Sequence, residues 1–283
     1  MNTAILLISC PDQKGITASI TNFIFQNKGN IEHADQHIDS ANNTFFMRIE
    51  WALEGFLFSD EEISEKFKPL AEKFKMQWRL CFSSSTPKVG IFCSESTHCL
   101  YEILLKYKQK HFNCQIPLLI SNHQSPSTIA KDFNIPFFKF EKSSENKLDV
   151  EKKEIKLLKA AGVELIVLAR YGQIFTKQFV NEFPNQIINI HHSFLPAFAG
   201  SDPYNQAWSR GVKIIGATSH YVIEELDAGP IIEQDTVRVT HRSSLNDLKR
   251  EGQELERSVL SRAVRWHLER KVLVYGNKTV VFD

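Results

Sequence analysis

Asn189, His191 and Asp227 are residues whose types and spacing suit attack on a carbonyl carbon. An amide can donate to the carbonyl oxygen, and an imidazole can stabilise the oxyanion if protonated or well oriented. A carboxylate can position and deprotonate a water, then help return the proton to the leaving nitrogen. Asn189 and His191 stand two positions apart at the end of the apolar run Gln186–Ile190, so strand geometry sets both on one face. Downstream, His220 lies on a second strand, and Asp227 follows seven residues later in a turn made by Gly229 and Pro230. From its strand position His220 suits support of Asp227 or of a bound water. His192 should point away from His191 if strand geometry continues, whereas loop geometry would return it to the pocket. Leu226, Ala228 and Pro230 point to partial burial of Asp227, which would raise its pKa. Each residue alone has a plainer use, as a turn former or a satisfied interior histidine; the joint pattern is what suggests a site.

These residues need a scaffold, and the chain after residue 88 reads as one. Strands at Lys88–Phe92, Gln115–Ser121, Phe137–Phe140, Val163–Ala169 and Gln186–Ile190 alternate with helical stretches, as in a Rossmann-like, mostly parallel sheet. Ligands in such sheets bind beyond the carboxyl ends of the strands, where the Asn189–Gly200 stretch falls. The first strand–helix turn, Cys93 to His98, contains no glycine and carries Glu95, so it is a poor phosphate cradle. Lys142 to Lys152 is strongly charged and reads as a solvated loop and helix start. Ser243 and Ser244 cap a long helix with Leu245, Leu248, Leu255, Val259, Ala263 and Trp266 on one stripe, and a hairpin turned by Gly276-Asn277 closes the chain.

Residues 1–84 follow a different order. A strand at Ala4–Ser9, a helix from Ile16 ended by Gly29, strands at 30–39 and 44–51, a helix opened by the Ser59–Glu62 capping box and a strand at 76–82 give βαββαβ, a ferredoxin-like unit. Ser83–Pro87 reads as a linker. The expected division is therefore 1–84 and 88–283.

Bulk properties narrow the function. In 283 residues, 34 Lys and Arg nearly balance 33 Asp and Glu for a net charge of +1, which argues against nucleic acid as a partner. There is no apolar run of about 18 residues and no signal-peptide pattern, so no membrane association and a cytoplasmic location are expected. The five cysteines form no Cys-x-x-Cys pair and suit reduced thiols. The adjacent His191 and His192 would face opposite sides of a strand, so no metal is expected.

Asn-x-His, then Ser-x-Leu-Pro-x-Phe-x-Gly at Ser193–Gly200, then His-x6-Asp-x-Gly at His220–Gly229 resembles the folate-dependent formyltransferase superfamily. Related transferases usually have Pro after the motif His. The variant His191-His192-Ser193, with the extension Glu225–Asp235, is similar to the hydrolytic, deformylating branch. The resemblance implies hydrolysis of 10-formyltetrahydrofolate to tetrahydrofolate and formate, supplying formate for purine biosynthesis and balancing one-carbon pools. It implies Asn189, His191 and Asp227 as catalytic residues, with His192 and His220 in the substrate site and no cofactor beyond the folate substrate. Tyr171, Gly172, Gln173 and Ile174 match the segment that holds the pterin ring, with Gly172 where family members commonly have Met. At the N-terminus Pro-Asp-x-x-Gly-Ile resembles ACT domains, which implies a homo-oligomer and leaves open whether a small amino acid binds near Asp12 and Gly15. Two other readings remain: formyl transfer to an amine acceptor, and a non-enzymatic amino-acid sensor that binds folate without turnover.

Overall fold

The computed structural model describes residues 2–197 and 203–283. The chain forms two compact units. One holds the residues up to Thr86 together with Glu269–Leu273 and Val280–Asp283, and the other holds Pro87–Leu268 and Val274–Thr279.

The first unit runs β1 (Thr3–Pro11), α1 (Ile16–Gln26), β2 (Asn30–Asp39), β3 (Thr44–Ala52), α2 (Asp60–Lys73) and β4 (Gln77–Phe82). Its antiparallel sheet has the order β2-β3-β1-β4, the ferredoxin-like arrangement expected of βαββαβ. Alternate residues of β1 (Ala4, Leu6, Ile8) and β3 (Phe45, Met47, Ile49, Trp51) pack against Ile16, Ile20 and Ile24 of α1 and Ile63 and Phe67 of α2. Ser59 and Glu62 form the expected capping box. The end of α1 differs in one detail. Lys28, not Gly29, takes the left-handed position (φ 61), and the bonds Gly29 N–H to Ile24 O and Lys28 N–H to Phe25 O close a Schellman motif. Gly29 is needed for space instead, since a Cβ there would lie 2.5 Å from Ile24 Cγ2. Arg48 pairs with Glu50 at 2.7 Å and donates to the Arg270 carbonyl at 3.1 Å, which ties the C-terminal residues into this unit.

The second unit runs β5 (Lys88–Cys93), α3 (His98–Lys108), β6 (Gln115–Ser121), α4 (Ser127–Asp132), β7 (Phe137–Lys139), α5 (Lys147–Ala160) and β8 (Leu165–Ala169). It continues through α6 (Lys177–Asn181), β9 (Ile187–His191), α7 (Pro203–Arg210), β10 (Ile214–Tyr221), β11 (Ile231–Arg238) and α8 (Leu245–Leu268). A closing hairpin consists of β12 (Val272–Tyr275) and β13 (Lys278–Val281). The seven-stranded sheet has the order β11-β10-β9-β8-β5-β6-β7, parallel from β9 to β7, with β10 and β11 antiparallel. Strand order reverses between β8 and β5, and a crevice at their carboxyl ends is where such sheets bind ligands. The buried side of α8 is not quite the expected stripe. It runs through Leu248, Gly252, Glu256, Val259, Leu260, Ala263 and His267, while Leu255 and Trp266 are half-buried.

The stretch 142–152 corrects a further expectation. The side chain of Lys142 is buried, as are Glu151 and Glu154 of α5. Lys142 Nζ lies 2.8 Å from Glu154 Oε2 and 4.6 Å from the centre of the Phe175 ring, which stacks on Phe179. Glu151 accepts hydrogen bonds from the Thr176 N–H and hydroxyl, and Thr176 in turn caps α6. Alternating charges in a sequence look solvated; here pairing and an aromatic face make burial tolerable. Burial pushes Glu154 up to about 7 and Lys142 down. Lys142→Met is therefore expected to cost about 3–5 kcal/mol, the size typical of a stranded buried partner. The cost should shrink at pH 5, where Glu154 takes up a proton, and Lys142→Met/Glu154→Leu should recover much of it. Urea denaturation at pH 5 and pH 8 checks this; a loss below about 1 kcal/mol at pH 8 would show the pair to be idle.

Candidate active site

The strand β9 ends at His191, and antiparallel β10 sets His220 opposite Asn189 and Thr218 opposite His191. Opposed residues share a face, so four polar side chains are brought together by register alone. Asn189 Nδ2 lies 3.3 Å from His220 Nε2, and His220 Nδ1 lies 2.9 Å from the Tyr221 carbonyl. A carbonyl only accepts, so Nδ1 carries a proton, and the Asn189 amide faces Nε2. The second amide hydrogen of Asn189 is left for a ligand.

Asp227 reaches the same place from the loop after β10. Its backbone is left-handed (φ 54), and the turn folds tightly: a Cβ at Gly229 would lie 1.8 Å from the Tyr221 carbonyl oxygen. Asp227 Oδ2 is 3.2 Å from His191 Nδ1, while Oδ1 is 3.6 Å from His220 Nε2, beyond hydrogen-bond reach. The hydrogen bond from His191, and next the approach of His220, hold the Asp227 carboxyl well below the usual carboxylate range. This reverses the expected upward shift. The apolar neighbours in sequence exclude too little water to outweigh two imidazoles from β9 and β10. His191 Nε2 is buried and has no hydrogen-bond partner among the described residues, an orphan of the kind that awaits a ligand.

His192 is turned into the site. Its ring centre is 5.3 Å from that of His191 and 5.7 Å from that of Tyr204, and Arg170 Nη1 lies 2.6 Å from its Nδ1. The chain has left the strand at this point, so alternation no longer applies. Hydrogen bonds shape the following loop: Thr218 Oγ1 donates to Ser193 O and accepts from Leu195 N–H, while Ser193 Oγ donates to Ala197 O. The motif residues Phe198 and Gly200 lie outside the described residues.

Asn189, His191, His192, His220 and Asp227 line one cleft of about 450 Å³. The segment Tyr171–Ile174 forms part of its wall, as do Val222 and Leu226. Tyr171 is buried edge-on against Phe92, and its hydroxyl has no hydrogen-bond partner among the described residues. Gly172 N–H donates to Ser94 Oγ, and a Cβ there would meet nothing closer than 4.0 Å, so packing leaves room for a side chain. In the Cys93–His98 turn, Glu95 pairs with His123 at 3.3 Å. Asp12 and Gly15 belong to the first unit, where Gly15 (φ 93) opens α1 and Asp12 N–H bonds to Asn43 O.

Two further residues belong to the site. Arg170 directly follows β8 and carries no motif signal, and Glu256 stands among the buried residues of α8, where a carboxylate is itself a signal. The Glu256 carboxylate meets His98 Nε2 at 2.9 Å, Tyr204 Oη at 2.6 Å and Arg170 Nε at 3.2 Å. Burial works against its ionisation, but His98, Arg170 and Tyr204 outweigh it and hold its pKa low. Among the described residues His98, Cys99 and Glu256 are close enough to share a cation. Arg170 and Tyr204 already occupy the Glu256 oxygens, so the trio is a hydrogen-bonded hub rather than an open ligand set.

Residues 87–264 match the formyl transferase family model, which is the class that the sheet order and the Asn189–His191–Asp227 cluster define. The similarity to named proteins runs further. The chain is 52% identical to a formyltetrahydrofolate deformylase of Synechocystis sp., covering 99% of this chain and 98% of that one. It is 47% identical to the deformylase of Bacillus subtilis, over 98% of this chain and 93% of that one. The crystal structure of a formyltetrahydrofolate deformylase from Pseudomonas syringae pv. tomato superposes with a TM-score of 0.98 at 44% identity, covering 100% of this chain and 95% of that one. The chain belongs to the formyltetrahydrofolate deformylase family.

Proposed function

We propose that the chain hydrolyses 10-formyltetrahydrofolate to tetrahydrofolate and formate, with water attacking the formyl carbon in the cleft around Asp227. The observation that carries this reading is the convergence of Asn189, His191, His220 and Asp227 on one cleft in a member of this family. Asp227 Oδ2 is engaged by His191, which leaves Oδ1 to accept a hydrogen bond from water. Because the neighbouring carboxylate can only accept, His191 Nδ1 carries a proton. When the ring is an imidazolium, the orphan Nε2–H is a donor for the formyl oxygen beside the free Asn189 amide hydrogen. As the new C–O bond forms, one water proton passes to Asp227, and the formyl oxygen becomes an oxyanion held by Asn189 and His191. Collapse breaks the C–N10 bond, N10 takes the proton from Asp227, and formic acid departs as formate. No step calls for a metal or a cofactor.

The wall formed by Tyr171 to Ile174 is assigned to the pterin ring. Tyr171 supplies an apolar face, while Gly172 and Gln173 supply backbone and amide groups. The N-terminal unit is assigned to association with a second copy and to response to a small amino acid near Asp12 and Gly15. The support is the βαββαβ sheet and the left-handed Gly15 turn. Screening the twenty amino acids against the full chain tests this; at least one should shift activity and melting temperature, and none doing so would remove the effector assignment. Among the described residues no helix is long and apolar enough to cross a membrane. A cytoplasmic location is part of the proposal.

Formyl transfer to an amine is separated from hydrolysis by competition. With 10-formyltetrahydrofolate and glycinamide ribonucleotide supplied together, formate should appear at a rate insensitive to the amine. Stoichiometric formylation with little formate would favour the transferase. Binding with neither product would favour the sensor.

A further inference from the structure

Arg170 and Glu256 have no part in the chemistry above, yet Arg170, paired with Glu256, is aimed at His192. Arg170 follows β8 directly with a left-handed backbone (φ 60), a conformation uncommon for a non-glycine residue. Its partner Glu256 is fixed in turn by His98 and Tyr204. The contact between Arg170 Nε and Glu256 Oε2, 3.2 Å, is one of charge rather than an aligned hydrogen bond, and it leaves Nη1 2.6 Å from His192 Nδ1. A guanidinium has donors only and keeps its proton in proteins, so the nitrogen facing it must present a lone pair. A neutral imidazole then carries its one hydrogen on Nε2.

We propose that Arg170, held by Glu256, is a positioning residue that fixes His192 as the neutral Nε2–H tautomer, and that His192 donates this hydrogen to the oxygen of the attacking water. The second half rests on the hydrolytic reading. A water that attacks carbon has two lone pairs and two hydrogens to place. One hydrogen goes to Asp227, and one lone pair goes to the formyl carbon. A donor on the other lone pair completes the orientation, and His192 lines the same cleft. The opposite tautomer would present a second acceptor and draw the water's hydrogen away from Asp227. An imidazolium would compete with His191 for the Asp227 carboxylate.

The charged and titratable groups around His192 agree with the geometry. They are Arg170 after β8, Glu256 on α8, Tyr204 on α7, His191 on β9 and Asp227 after β10. Burial, and then Arg170, push the His192 imidazolium down to about 4, against the opposing pull of Glu256 and Asp227.

The test uses the full chain with 15N-labelled histidine, the His192 signals being assigned with His192→Gln. Wild-type His192 should show an unprotonated Nδ1 and a protonated Nε2 throughout the range from about pH 5.5 to 8.5, well above its lowered pKa. In Arg170→Met the ring should titrate within that range and sample both tautomers. Its kcat should fall on the order of 10²-fold, the size of loss when one oriented donor is removed, with a smaller change in KM. An added acid limb should appear in its kcat profile. Arg170→Lys, still a donor without acceptor, should restore the nitrogen pattern and part of the rate. A wild-type His192 that carries its proton on Nδ1, or that titrates in this range, would overturn the proposal. So would an Arg170→Met enzyme with wild-type kcat and pH profile. If Arg170→Met does not fold, the wild-type nitrogen signals decide alone. A wild-type enzyme that releases no formate counts against the hydrolytic reading, while the same signals still decide the Arg170–His192 pairing.

Discussion

Asp227→Asn should lower kcat roughly 10²–10⁴-fold while the fold and folate binding persist. The replacement is isosteric, and Asn tolerates the left-handed backbone that position 227 requires (φ 54). What disappears is the acceptor of the water proton. His191 would still find an oxygen near Nδ1, so the site should remain organised. Stability supplies an independent reading. Asp227 is held below the ordinary carboxylate range, so the unfolded chain takes up this proton at a higher pH than the folded one. Its contribution is therefore complete above about pH 4 and fades as pH falls toward the folded value. The gap in melting temperature between wild type and Asp227→Asn should accordingly narrow below about pH 4. Formate release near the wild-type rate would remove Asp227 from the mechanism.

His191→Asn should lower kcat about 10²–10³-fold, as expected when a donor to a developing oxyanion is lost. The pH dependence separates the two jobs its geometry allows. As an imidazolium beside Asp227, His191 has Nε2–H to offer the oxyanion; as a neutral ring it has a lone pair there and would act as a base. The donor role predicts that wild-type kcat declines as rising pH removes that proton, and that the decline is absent in His191→Asn. A wild-type rate that climbs with pH through the same range would assign His191 as the base and leave Asp227 to orient it. The separation of Asp227 Oδ1 from His220, 3.6 Å, favours water on the carboxylate and hence the donor role.

Much of this protein is legible along the chain. The apolar run of β1, the capping box at Ser59–Glu62 and the βαββαβ order are local properties, read from neighbours a few residues apart. So is the placing of Asn189 and His191 on one face of β9. Other features are hidden in the sequence because long-range contacts decide them. The charges of 142–152 look solvated until Lys142 meets Glu154 under the Phe175 and Phe179 rings.

The sequence by itself determined which residues could act on a carbonyl, and that they fall at strand ends in an α/β domain. It did so because strand alternation and turn chemistry are encoded within a few residues. Only the tertiary structure decided how those residues are charged and aimed. The Asp227 carboxyl is held low by imidazoles from β9 and β10, not governed by Leu226 and Ala228. His192 is held neutral by burial and by Arg170 after β8, whose guanidinium faces its Nδ1 while Glu256 on α8 anchors that guanidinium. Ionisation and tautomer depend on which donors stand within about 3 Å, and distances of that size between remote segments exist only once the sheet has assembled.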